Sequence, residues 1–278
     1  MNGSRIKWLP IFVFVVLAIA LGVAWAIHAR DSGMLGNTQS AGIVAASVAQ
    51  LSVLIAALIT MAVFSRESFR MIGWRPGPWR VYLFVFFAVV TMLALFTFVT
   101  LAGGFLHRAA GPPVQVIRLL LNFLILMIIL CLFAFAEEFG WRGFLLPKLL
   151  PLGERPALLL SGLIWFCWEA PLVYFGLLDS TIVKEHPVIA LVCHFLQICL
   201  VAIALGYLRL RYQSIFLPAF AHGLLNSLGG LSFILLTQSD PLWGDFGGPI
   251  GTVFLFLVVA ALWVRLGGKT DTPSQVLE

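Results

Sequence analysis

The chain has 278 residues, of which 61% are hydrophobic and only 10% are charged, and its mean hydropathy is +1.04. Soluble domains are about half apolar and about a quarter charged, so this composition excludes a water-soluble globule, and the shortage of charge also excludes a disordered chain. The net charge of +5 indicates basic residues where the chain meets a membrane surface rather than a nucleic-acid-binding protein. We therefore expect an all-α integral membrane protein.

Eight segments are long and apolar enough to predict membrane-spanning helices, each of which needs about 20 mostly apolar residues. Clusters of Gly and Pro separate several of these segments and indicate turns. Nothing between them is long enough for a soluble domain, so residues 1–278 are predicted to form a single polytopic membrane domain. In chain order the predicted spans are Trp8–Ile27, Ala41–Phe64, Val81–Gly103, Val114–Ala136, Ala157–Leu178, Pro187–Leu208, Ile215–Leu236 and Pro249–Val264.

The first predicted span also has features of a signal peptide. Arg5 and Lys7 precede its apolar run, and the sequence from Ala24 to Ala26 resembles a cleavage site of the A-x-A type. The apolar run is long for a signal peptide, so we expect an uncleaved first helix and keep cleavage as the alternative.

The distribution of Lys and Arg predicts the orientation of the chain. With the N-terminus placed in the cytoplasm, 13 of the 17 Lys and Arg residues fall on the cytoplasmic side, as the positive-inside rule requires. The remaining four fall on the outer side. We therefore expect a multi-pass protein of the inner (cytoplasmic) cell membrane with both termini in the cytoplasm.

Three acidic residues and two histidines fall within the predicted spans or at the end of the fourth, where such side chains are costly and mark candidate functional sites. Glu137 and Glu138 lie at the cytoplasmic end of the fourth span, and Glu169 lies near the middle of the fifth. His222 lies in the seventh span, whereas His194, in the sixth, is interpreted as a core or interfacial histidine. These positions predict an intramembrane polar site formed by the fourth, fifth and seventh spans.

Helical spacing groups the polar residues of two of these spans. Glu138 and Arg142 are four residues apart, so they share a helix face and can form an ion pair, while Glu137 points about 100° away and is free for chemistry. His222 and Asn226 share a face in the same way and can donate hydrogen bonds to a carbonyl or an oxyanion. The alternatives are a helix end stabilised by its own ion pair and polar contacts between helices.

Glu169 has apolar and aromatic neighbours and stands two residues before Pro171, which weakens local helix hydrogen bonding. This context favours a polar pocket around the carboxyl group. The alternative is a neutral, hydrogen-bonded carboxyl that only connects helices.

Together these motifs resemble those of the CPBP family of intramembrane proteases, which includes the type II CAAX prenyl endopeptidases and the Abi, or bacteriocin-immunity, proteins. The first family motif is two Glu residues followed by an Arg, and Glu137, Glu138 and Arg142 match it. The last family motif is His-x-x-x-Asn, which His222 and Asn226 match. Both motifs occur in the family's order and inside predicted spans.

The resemblance covers about residues 114–230 and implies an intramembrane endopeptidase with its active residues in the cytoplasmic half of the membrane. It implies that Glu137 activates a water molecule and that His222 and Asn226 stabilise the oxyanion.

The second family motif, Phe-x-x-x-His, is altered in this chain. Trp165 holds the aromatic position, and Glu169 holds the position of the histidine that helps to activate the water. The resemblance therefore implies no histidine-like role for Glu169, and this departure favours a non-catalytic member of the family as the alternative.

The expected function is an endopeptidase that acts in the lipid bilayer on a peptide, a prenylated protein or a membrane protein, without nucleic acid. Two other functions stay open. One is a catalytically impaired or non-catalytic member that binds membrane proteins in an immunity or scaffold role. The other is a proton-coupled transporter that uses Glu137 and Glu169.

No metal or other cofactor is expected, because the chain has no HExxH sequence and the family motif requires no metal. The alternative is a divalent metal such as zinc, with Glu137, Glu169 and His222 as three ligands of an open site.

Overall fold

A computed structural model describes residues 6–36, 39–64, 68–107, 116–177, 181–235 and 238–266. The helices are α1 (Trp8–Asp31), α2 (Gln39–Phe64), α3 (Ser68–Met71), α4 (Trp79–Ala102), α5 (Val116–Glu138), α6 (Leu146–Leu149), α7 (Glu154–Tyr174), α8 (Thr181–Glu185), α9 (Pro187–Tyr212), α10 (Phe216–Leu235) and α11 (Pro249–Leu266). A π-helix spans Phe139–Leu145, and 3-10 turns span Met34–Gly36 and Leu150–Leu152. Strands β1 (Leu106–His107) and β2 (Gln238–Ser239) pair antiparallel.

The predicted class, a multi-pass helical membrane protein, is confirmed at the level of helix length and composition. Six helices within the described ranges are long and apolar enough to cross a membrane, and they correspond to the first six predicted spans. Helices α10 and α11 coincide with the seventh and eighth predicted spans. The apolar part of α11, Pro249–Val264, is shorter than the other six, so the count of eight spans stays a prediction, as does the orientation of the termini.

The predicted end of the fourth span at Ala136 was wrong. Helical structure continues from α5 through the π-helix, α6 and a 3-10 turn to Leu152, because its apolar side chains are buried against neighbouring helices. Pro147 lies at the junction of the π-helix and α6, in the first turn of α6, and does not interrupt this run. The chain reverses at Gly153, whose φ of 98° favours glycine. Glu137 and Glu138 therefore lie well inside the helical run rather than at its end.

Small residues bring the central helices close together, as they commonly do in membrane proteins. A Cβ atom on Gly223 of α10 would lie 2.5 Å from the Cα of Cys131 on α5. Between α7 and α9, a Cβ on Gly162 would lie 3.0 Å from the Cα of Cys199, and Gly206 packs against Leu158. Residues later in α7 therefore contact residues earlier in α9, so these two helices are antiparallel.

Candidate active site

The π-helix Phe139–Leu145 begins directly after the two glutamates that end α5. Its wider turn changes the direction of the side chains that follow, and such segments often occur at functional sites. Gly140 permits close packing against α2, because a Cβ there would overlap the side chain of Val53. Trp141 packs edge-on against Phe14 of α1, with ring centroids 5.4 Å apart. These contacts fix the π-helix against α1 and α2.

Glu138 is completely buried and links the π-helix to α10. Its Oε1 accepts a hydrogen bond from Nη1 of Arg142 at 2.8 Å and lies 2.9 Å from Nδ1 of His222. The structure therefore contains the predicted Glu138–Arg142 ion pair. The contact with His222 was not predicted, because the two residues are far apart in the sequence and lie on different helices.

The contact with Glu138 orients the imidazole of His222. When the imidazole is neutral, Nδ1 carries the proton that is donated to the carboxylate, so Nε2 is directed away from Glu138. The imidazole also packs against the ring of Trp165, with centroids 5.3 Å apart. Glu138 and Trp165 together leave Nε2 as the nitrogen available for chemistry.

Arg142 is almost completely buried, and its guanidinium lies over the ring of Trp165 at 4.4 Å from the centroid. This cation–π contact adds to the ion pair with Glu138. Nη2 of Arg142, Oε2 of Glu138 and Nε1 of Trp165 are buried without a protein hydrogen-bond partner. These two donors and one acceptor are therefore unsatisfied exceptions to the rule that buried polar groups are hydrogen-bonded.

Arg209 of α9 forms a hydrogen bond to the main chain of the π-helix. The positive-inside count did not reveal this role. The side chain of Arg209 is buried, and Nε donates to the main-chain carbonyl of Arg142 at 3.2 Å. Its Nη2 donates to the carbonyl of Met71, and Nη1 donates to the side chain of Gln213. Gly73 accommodates the guanidinium with a φ of 87°, since a Cβ there would lie 2.8 Å from the Cζ of Arg209.

Glu137 is also buried, and its Oε1 accepts a hydrogen bond from Nε1 of Trp141 at 2.9 Å. It lies close enough to His222, Glu169 and Glu138 to interact electrostatically with all three. The structure thus places Glu137 and Glu138 of α5 near Glu169 of α7 and His222 of α10.

Asn226 lies one turn after His222 on α10, as its spacing predicts, but it is exposed. Its participation in the same cavity as Glu137 stays a prediction.

Glu169 lies on an uninterrupted part of α7, which continues through Pro171 to Tyr174. Its Oε2 lies 3.0 Å from Nε2 of His194 on α9, at ion-pair distance although the two groups are not aligned as a hydrogen bond. The contact of Glu169 with His194, which was interpreted as a core or interfacial histidine, was not predicted. It was missed because the meeting of Glu169 and His194 depends on how α7 and α9 are aligned.

The structure does not bring the alternative zinc ligands into a metal-binding cluster. Throughout the described part of the chain, no group of three or more His, Cys, Asp and Glu side chains is arranged to hold a metal ion. Glu137, Glu169 and His222 instead contact other protein groups, namely Trp141, His194 and Glu138.

Comparison with known proteins supports the family assignment. Residues 119–228 match the model of the family described as type II CAAX prenyl endopeptidase Rce1-like. This match is consistent with the CPBP family. The match covers less than half of the chain but includes all six predicted site residues, from Glu137 to Asn226. No curated protein matches the chain. The match over residues 119–228 confirms the resemblance that the sequence motifs indicated.

Proposed function

We propose that this CPBP-family protein is an intramembrane endopeptidase that cleaves a peptide, a prenylated protein or a membrane protein near the cytoplasmic face. The family match and the membrane fold support this class of activity. The observation that carries the proposal is the buried contact of Glu138 with both Arg142 and His222, directly beside Glu137.

In this proposal Glu137 is the general base. It accepts a proton from a water molecule, and the resulting hydroxide attacks the carbonyl carbon of the scissile peptide bond. The tetrahedral intermediate collapses when the C–N bond breaks, and Glu137 returns the proton to the departing amine. The hydrogen bond from Trp141 to Oε1 holds the carboxylate, so Oε2 is the oxygen that we assign to the water.

His222 stabilises the oxyanion through Nε2. Because Nδ1 faces Glu138, Nε2 can donate a hydrogen bond only when both ring nitrogens carry protons. Glu138, oriented by Arg142, then carries the compensating negative charge. Asn226, one turn along α10, supplies the second donor from its exposed side chain.

The test compares protein N-termini in membranes of cells that produce the parent protein or the Glu137→Gln variant. New termini should appear only with the parent protein. Glu185→Gln is the matched control, because Glu185 is an exposed glutamate at the end of α8. Identical termini in the parent and Glu137→Gln membranes would contradict an endopeptidase.

One observation favours a second function, a non-catalytic member that binds a membrane protein. Glu169 occupies the histidine position of the second family motif, so the water-activating pair of the family is incomplete. For such a protein, Glu137→Gln would leave both the termini and the set of co-purified membrane proteins unchanged.

A further inference from the structure

Glu169 and His194 are brought together by the close antiparallel packing of α7 and α9. The contacts of Gly162 with Cys199 and of Gly206 with Leu158 leave no room for the helices to slide, because larger side chains would clash there. About two turns beyond Gly162, the same alignment places Glu169 opposite His194. Their contact therefore follows from the helix packing and not from a local motif.

The two side chains are only slightly exposed, 13% for Glu169 and 26% for His194, and the ion-pair atoms lie 3.0 Å apart. The imidazole also lies beside Phe166 on α7, with ring centroids 6.1 Å apart. An acid in such a place requires a partner, since an unpaired buried carboxylate is costly. His194 is that partner.

The pair lies on the edge of the active site. Glu169 interacts electrostatically with Glu137 and with Arg142, which belong to the first family motif. Glu137 and Glu169 are also equally distant along the chain from the reversal at Gly153, so they lie at similar depths on adjacent helical runs.

Resting on the proposed endopeptidase function, we infer that His194 is a positioning residue that takes part in replacing the missing family histidine. It holds Oε2 of Glu169 and compensates its charge, so Oε1 remains to accept a hydrogen bond from the water that Glu137 deprotonates. The second motif lacks its histidine on α7, and the neighbouring helix α9 supplies one instead.

A double-mutant cycle tests this inference in protein reconstituted into lipid vesicles. The probe is a quenched fluorescent peptide that ends in a farnesylated CAAX sequence. Glu169→Gln and His194→Gln should each lower kcat about 10²-fold with little change in KM, a size typical of general acid–base groups. The double variant should lose no more than the worse single variant, because both changes remove the same pair.

Two further variants separate positioning from a structural effect. The reversed pair, Glu169→His with His194→Glu, should recover part of the lost kcat. His107→Gln should change nothing, since His107 is an exposed histidine of β1. Thermal unfolding of each variant identifies losses that come from misfolding.

Three results would overturn the inference. The first is a His194→Gln protein that folds and cleaves as fast as the parent, in which case the proposed function still stands. The second is a parent that does not cleave while Glu169→His alone does, since the Glu169–His194 pair would then be no replacement. The third is no cleavage by the parent or by Glu169→His, in which case the proposed function itself fails.

Discussion

Nδ1 of His222 lies 2.9 Å from Oε1 of Glu138, which is also the oxygen that accepts the hydrogen bond from Arg142. One carboxylate oxygen therefore orients a histidine on α10 and a guanidinium in the π-helix. The second glutamate of the family motif acts in this structure as the connection between the two motifs. Glu137, the first glutamate, is the residue that the proposed mechanism assigns to the water.

Replacing Arg142 with Ala should destabilise the protein strongly. The change leaves Glu138 buried without its cationic partner, and breaking a buried pair in this way typically costs about 3–5 kcal/mol. Denaturant unfolding in detergent micelles measures the effect. Arg30→Ala is the control, because the Arg30–Asp31 pair is exposed and should contribute at most about 1 kcal/mol. Equal stability of the two variants would contradict the role of the buried pair.

His222→Asn should separate the two functions of His222. The Asn amide nitrogen can take the place of Nδ1 and keep the hydrogen bond to Glu138, but it has no counterpart of Nε2. Stability should stay close to that of the parent, whereas kcat should fall about 10²–10³-fold, the typical effect of losing one oxyanion donor. Peptide cleavage and thermal unfolding, measured together, test this prediction. A variant that keeps the parental kcat would remove Nε2 from the mechanism.

Arg209→Ala should lower both stability and activity, although Arg209 lies outside all three family motifs. It removes the hydrogen bond to the carbonyl of Arg142, and hydrogen bonds from charged groups typically contribute about 1.5–3 kcal/mol. Arg211 provides a matched control two residues away, because its side chain is exposed and its loss should change stability by less than about 0.5 kcal/mol. Equal stability of the Arg209 and Arg211 variants would show that the hydrogen bonds of Arg209 do not stabilise the fold.

Gly223→Ala should destabilise the contact between α5 and α10. The added Cβ would lie 2.5 Å from the Cα of Cys131, and overpacking of this kind typically costs about 1–3 kcal/mol. Because Gly223 follows His222, the displacement should also weaken the contact with Glu138 and lower activity. Gly42→Ala should have the opposite effect on stability, since its Cβ meets no neighbour and Ala favours helix formation. A Gly223→Ala protein that is more stable than the Gly42→Ala protein would contradict the close packing of α5 and α10.

Reporter fusions test the predicted orientation. A cytoplasmic reporter should be active after Arg80 and after Glu278, and a periplasmic reporter should be active after Asp179. This orientation places 13 of the 17 Lys and Arg residues on the cytoplasmic side. A cytoplasmic signal after Asp179 would invert the fifth span. The site would then face the opposite side of the membrane.

Much of this protein follows from the sequence alone. The first six predicted spans correspond to helices long and apolar enough to cross a membrane, because this property depends on the composition of each local segment. The Glu138–Arg142 pair was predicted because residues four apart meet within one helical run. The resemblance to the CPBP family was found because the motif residues stand in fixed order along the chain, and the match over residues 119–228 is consistent with it.

Other features were decided only by the tertiary structure. The end of the fourth span was misplaced because packing against neighbouring helices stabilises the π-helix and the turns after it, which no local pattern revealed. The contacts of Glu138 with His222 and of Glu169 with His194 join different helices, so they depend on how those helices are aligned and rotated. That alignment is set by small-residue contacts such as Gly162 with Cys199, where steric fit rather than sequence spacing selects the partner.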